Sequence, residues 1–93
     1  MDAAGLIVDS PGFLSKKSLS VSDANQITNS GFYMNTGQIS NNLPLTEYGI
    51  LICFSFGTAL EVVQLYIPAL FDKNQLFIRQ YSAGGWRSWS NII

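Results

Sequence analysis

From Gly31 to Ile92 the chain is a succession of short β-type runs, and the segments between them are too short to hold a crossover helix. The runs are 31–35, 48–56, 61–67, 76–81 and 86–92. Consecutive strands joined this closely pair as antiparallel hairpins. The pattern therefore predicts a mainly β fold: a small antiparallel meander of about five strands. Turn chemistry agrees with this division. Gly57-Thr58-Ala59 breaks the second run, Pro68 caps the third, and Asp72-Lys73-Asn74 makes the next turn. Ser82-Ala83-Gly84-Gly85 supplies residues that tolerate positive φ in a tight hairpin. The run Tyr48–Phe56 is apolar at nearly every position, which predicts a central strand covered on two sides.

Upstream the character changes. Residues 1–22 are nearly free of aromatics and contain the turn signal Ser10-Pro11-Gly12, so they read as a linker or the end of a preceding segment, with the β domain at 23–93. Ser22-Asp23-Ala24-Asn25-Gln26 reads as a single helical turn capped by Ser22 or Asp23.

Composition limits the function. Of 93 residues, 47% are apolar and only 12% charged, about half the usual charged share. Such a surface is made of Ser, Asn, Thr, Gln and some apolar area, as expected where a subunit meets other subunits. Net charge is −1, and no clustered basic face exists for nucleic acid. The longest apolar stretch, Tyr48–Phe56, is far short of the ~20 residues that a membrane-spanning helix needs. Cys53 is the only cysteine, so no disulfide framework forms, and it reads as a buried small hydrophobe folded in a reducing cytosol. Histidine is absent, and the carboxylates Asp2, Asp9, Asp23, Glu47, Glu61 and Asp72 are dispersed. These features argue against an enzyme and against a metal or other cofactor site.

The C-terminal hairpin carries the chemistry that remains. Alternation puts Phe77, Arg79 and Tyr81 on one face of their strand, and Gln64 and Tyr66 on one face of the strand before. Val63, Leu65, Ile67 and Ile78 fall on the other side, which reads as the aliphatic core face. In a regular last strand Trp86 and Ser88 oppose Arg87 and Trp89. Two readings follow. In one, Gln64, Tyr66, Arg79, Tyr81, Trp86 and Trp89 make a glycan or interface surface, with rings facing sugar C–H groups and Arg79, Gln64 and Asn91 bonding hydroxyls. In the other, Trp86 and Trp89 fill the small core and Arg79 stacks on a ring.

The ordered set Asp23-x-Asn25-x-Ile27-Thr28-x-x-Gly31-x-Tyr33, Leu43-Pro44, Gly49, Val63-Gln64-Leu65-Tyr66 and Phe77-x-Arg79-x-Tyr81-x-x-Gly84-Gly85-Trp86-x-x-Trp89 resembles the pyocin-knob type domains of phage tail fibres, tailspikes and phage-tail-like bacteriocins. The resemblance runs from about Asp23 to Ile92. It implies a homotrimeric knob in the virion tail, made in the host cytoplasm, that links fibre segments or contacts a bacterial surface glycan. It also implies that Arg79, Tyr81, Trp86 and Trp89 are framework residues. The alternative expectation is a monomeric carbohydrate-binding module, which predicts Tyr66, Tyr81 or Trp86 exposed in a row.

Overall fold

The structure, a computed structural model, describes residues 22–56, 61–70 and 72–93. Apart from Ser22, the segment expected to be a linker lies outside the described residues, as does the expected break at 57–59. The fold is mainly β, and the described residues form six antiparallel strands in one sheet and one 3-10 turn. The turn, η1, is Ala24–Gln26; its cap is Asp23, whose side chain accepts from the Asn25 N–H. The strands are β1 (Gly31–Asn35), β2 (Gly49–Ser55), β3 (Val62–Pro68), β4 (Phe77–Ser82), β5 (Gly85–Trp86) and β6 (Ser90–Asn91). They run in the order β1-β2-β3-β4-β5, with β6 also paired to β4, so the meander is shown.

The last strand departs from expectation. It was expected as one run and is two pieces on the same edge of β4. Tyr81 pairs with Trp86, and Ile78 pairs with Ser90. Between these pairs β4 has two residues (79 and 80) and the returning chain has three (87, 88 and 89). One residue is therefore extra, which is a β-bulge and shifts the side-chain alternation by one.

The core lies on the opposite face from the one expected. Val62, Gln64, Tyr66, Phe77 and Arg79 are buried, together with Tyr33, Asn35, Leu51 and Cys53. The aliphatic face holds Phe32, Ile52, Leu65 and Ile78 in one cross-strand row and Met34, Ile50 and Ile67 in the next. That face is only half-buried, and Met34 and Ile67 are 39% and 41% exposed. For the same reason β2 is central in the sheet but, among the described residues, closed on one side only, with Gly49, Leu51 and Cys53 inward.

The physical cause is what packs on the sheet. The second layer is irregular chain, namely η1 with the segment to Ser30 and the long 36–48 connection. Irregular backbone carries carbonyls with no ladder partner, and a buried carbonyl needs a donor. The Gln, Asn, Tyr and Cys side chains of the amide-rich face supply those donors. Gln64 Nε2 donates to the Ala24 and Ile27 carbonyls, both at 2.8 Å. Cys53 Sγ donates to the Ile27 carbonyl at 3.5 Å, and Tyr66 Oη donates to the Glu47 carbonyl. Asn35 Oδ1 accepts from the Gly37 and Ile39 N–H groups at 3.1 and 2.9 Å, while its Nδ2 donates to Tyr66 Oη at 3.1 Å. An aliphatic face offers none of this, so the loops cannot settle there.

Candidate functional site

At the β4–β5/β6 edge the bulge decides the geometry. Trp86, opposite Tyr81, projects to the inner face. Without the extra residue Trp89 would project outward; with it, Trp89 joins Trp86 over Arg79. The Arg79 Cζ lies 3.9 Å from the Trp86 ring centroid and 4.6 Å from that of Trp89. Tyr81 meets Trp86 edge to face, with centroids 5.3 Å apart and planes at 65°. Trp89 is fastened to the loop layer by its indole N–H, which donates to the Asn42 carbonyl at 2.9 Å. Cation–π contacts of this kind are worth about 2 kcal/mol where the cation is desolvated.

Arg79 is 6% exposed. Its Nε donates to Gln64 Oε1 at 2.9 Å, and its Nη2 is buried without a hydrogen-bond partner. Burial lowers its pKa to about 10, against a weaker opposing influence from Asp23. The group is therefore cationic at neutral pH. Asp23 does not pair with it directly: its Oδ1 accepts from Asn42 Nδ2 at 2.8 Å and from the Asn25 N–H at 2.9 Å. These two bonds, the Asn42 one foremost, hold the Asp23 carboxyl below its ordinary range. A buried unpaired donor costs about 1–3 kcal/mol, and more when it is charged.

Above this stack lies a shallow cleft of about 400 Å³, lined by Asn25, Asn42, Leu43, Arg79, Trp86, Arg87, Ser88 and Trp89. Asn25 Oδ1 is a second buried polar atom without a partner in that lining. Arg87 is exposed at the rim, with Nη1 3.2 Å from Gln80 Oε1.

Of the six residues singled out from sequence, the structure brings together Arg79, Tyr81, Trp86 and Trp89. Gln64 and Tyr66 are corrected as direct ligand contacts, since both have 0% exposure and their polar atoms are already bonded. They lie beneath the cleft because the loop layer needs their donors. No exposed row of Tyr66, Tyr81 and Trp86 forms. Asn91 is exposed on β6, with its Oδ1 taken by the Ile93 N–H. Asn25 was missed as a cleft residue, its place beside the Asp23 cap being the available signal; Asn42 ends the polar loop Thr36–Asn42, which the sequence offers as a place of receptor contact. Among the described residues no group of three or more His, Cys, Asp or Glu side chains converges on a metal site. No described helix is long and apolar enough to cross a membrane.

Fold and site thus define a single-sheet β module with a stacked cation at one edge. No known protein family, curated protein or solved structure matches the chain.

Proposed function

We propose that the chain is the β knob of a phage or prophage tail fibre or tailspike, a non-catalytic module that self-associates as a homotrimer and serves in host attachment. One observation carries this reading: the half-exposed outer sheet face, where seven apolar side chains (Phe32, Met34, Ile50, Ile52, Leu65, Ile67 and Ile78) stand in register in two adjoining cross-strand rows. Monomeric proteins seldom leave so continuous an apolar surface in water. The low charge of the whole chain supports the same reading, because charged residues are depleted where subunits meet. The occupant of the face is a further copy of the chain. The three-fold order follows from the sequence resemblance, which also supplies the attachment role.

Sedimentation of the full chain tests this. The expected result is a trimer whose dissociation is promoted by Ile67→Lys, at a position 41% exposed where a lysine leaves the core untouched. A chain that stays monomeric at high concentration, or an Ile67→Lys variant that associates as tightly as the parent, overturns the reading.

A further inference from the structure

Both arginines and both tryptophans of the chain line the same cleft. We propose that this cleft binds a carboxylate-bearing saccharide, the carboxylate meeting the Nη edge of Arg79 and the sugar ring lying against the indole of Trp86 or Trp89. The choice of a saccharide among carboxylates rests on the reading of the chain as an attachment knob.

A guanidinium presents five N–H groups in one plane. The two indoles lie close to Cζ, and a π-face does not accept the in-plane N–H groups. Nε is committed to Gln64 Oε1, while Nη2 has no partner. A carboxylate matches that remaining fork in geometry and in charge. The lining contains no acidic residue of its own, and Asp23, the acid whose field reaches Arg79, is held by Asn25 and Asn42.

The second unpaired atom sets the ligand class. Asn25 Oδ1 is an acceptor, so it repels a further anionic oxygen and pairs with a hydroxyl. One carboxylate with a hydroxyl beside it supplies a partner of the right kind to each orphaned group. The aromatic edges and Leu43 suit the C–H face of a sugar ring. Nη2 is closed to solvent in this form, so the ligand enters by displacing a ring. Trp89 is the ring placed to move: it lies in the bulge between β5 and β6, half-buried, fastened through its indole N–H to the Asn42 carbonyl.

The test is an NMR titration of the full chain with methyl β-D-glucuronide, with methyl β-D-glucoside and acetate in parallel. Glucuronide is expected to shift the Trp86 and Trp89 indole N–H signals and the Arg79 Nε–H signal saturably. The glucoside, with a hydroxymethyl group in place of the carboxylate, shifts none of them. Acetate binds at least about tenfold more weakly, the loss of about 1.4 kcal/mol. Asn25→Asp places a carboxylate in the lining itself; it is expected to keep the fold and weaken glucuronide at least about tenfold by occupying Arg79 internally. The inference is overturned if glucuronide leaves the indole signals in place, if acetate binds as tightly, or if Asn25→Asp binds undiminished. Sedimentation of the same samples separates this from the knob reading: a trimer without glucuronide binding sinks the saccharide site alone, and a binding-competent monomer sinks the trimeric knob alone.

Discussion

Gln64 and Arg79 face each other in direct register across β3 and β4, and a 2.9 Å hydrogen bond from Arg79 Nε to Gln64 Oε1 joins them. Through this pair the sheet holds two things at once. The amide end of Gln64 reaches down to the carbonyls of Ala24 and Ile27, and the guanidinium reaches up to the two tryptophans. Gln64 is thus the staple between the loop layer and the sheet, and also the support of the cleft floor.

Replacing Gln64 with Leu keeps the volume but removes one donor from each of the buried Ala24 and Ile27 carbonyls, which keep only the Ile27 N–H and Cys53 Sγ respectively, and leaves Arg79 Nε without an acceptor. Two lost hydrogen bonds and one orphaned charged donor correspond to a loss of roughly 3–5 kcal/mol. Urea unfolding of Gln64→Leu checks this. A small domain has little more stability than that to lose, so the expected result is a largely unfolded variant.

Gly49 opens β2 where the sheet leaves no room for a side chain. A Cβ there would press on the Ile67 carbonyl oxygen, with Pro68 Cα at 2.9 Å and Tyr66 Cζ at 3.0 Å. Two of these neighbours are backbone and cannot rotate away. Gly49→Ala is expected to destabilise by about 2–4 kcal/mol, as overpacking of a rigid site does. Thermal unfolding beside Gly85→Ala, a position with open space around it, provides the contrast.

The β4–β5 hairpin turns at Ala83 and Gly84, with φ of 53° and 84°. Two consecutive positive φ values match the type I′ turn that right-twisted strands favour, and alanine is a poor residue for the first of them. Ala83→Asn creates the Asn-Gly pair preferred in this turn. A gain of about 0.5–1 kcal/mol is expected, seen as a rise in melting temperature of roughly 2–8 °C for a domain of this size.

Cys53 is fully buried in β2, and desolvation pushes its thiol from 9.0 up to about 12. A thiol whose folded pKa is raised contributes stability that is complete below pH 9 and is lost as pH climbs toward 12. Tyr33 and Tyr66, also raised by burial, act in the same direction above about pH 10, while Arg79 acts against them there. The window between pH 9 and 10 therefore belongs largely to Cys53. Stability should fall across that window in the parent and stay level in Cys53→Ser, which retains a donor for the Ile27 carbonyl. At pH 8 a thiol reagent should label the folded chain only as fast as it unfolds.

Local chemistry made much of the fold legible. β1 follows from the Gly31–Asn35 run, Asp23 is the cap of η1, and the glycine-rich segment turns the last hairpin. These depend on neighbours a few residues apart, where backbone preference and capping operate. The face assignment failed for a different reason. Alternation separates two sets of side chains but does not say which set is covered. Hydrophobicity nominated Val63, Leu65 and Ile67; the need of a loop layer for donors chose Gln64, Tyr66 and Asn35.

The Trp-x-x-Trp spacing shows the same division. Read as an uninterrupted strand it puts Trp86 and Trp89 on opposite sides, and a bulge leaves no distinct mark in Arg87-Ser88-Trp89. The sequence by itself determined strand count to within one, strand order, antiparallel pairing, the turn of the last hairpin and the burial of Cys53, because all of these are local or nearly so. Only the tertiary structure decided which face is core, that one extra residue brings Trp89 beside Trp86 over Arg79, and that Arg79 and Asn25 each keep an unpaired atom in one cleft. Those outcomes depend on which carbonyls and rings meet across tens of residues, and a hydrogen bond between Gln64 and Ala24 is settled only when the two segments are packed together.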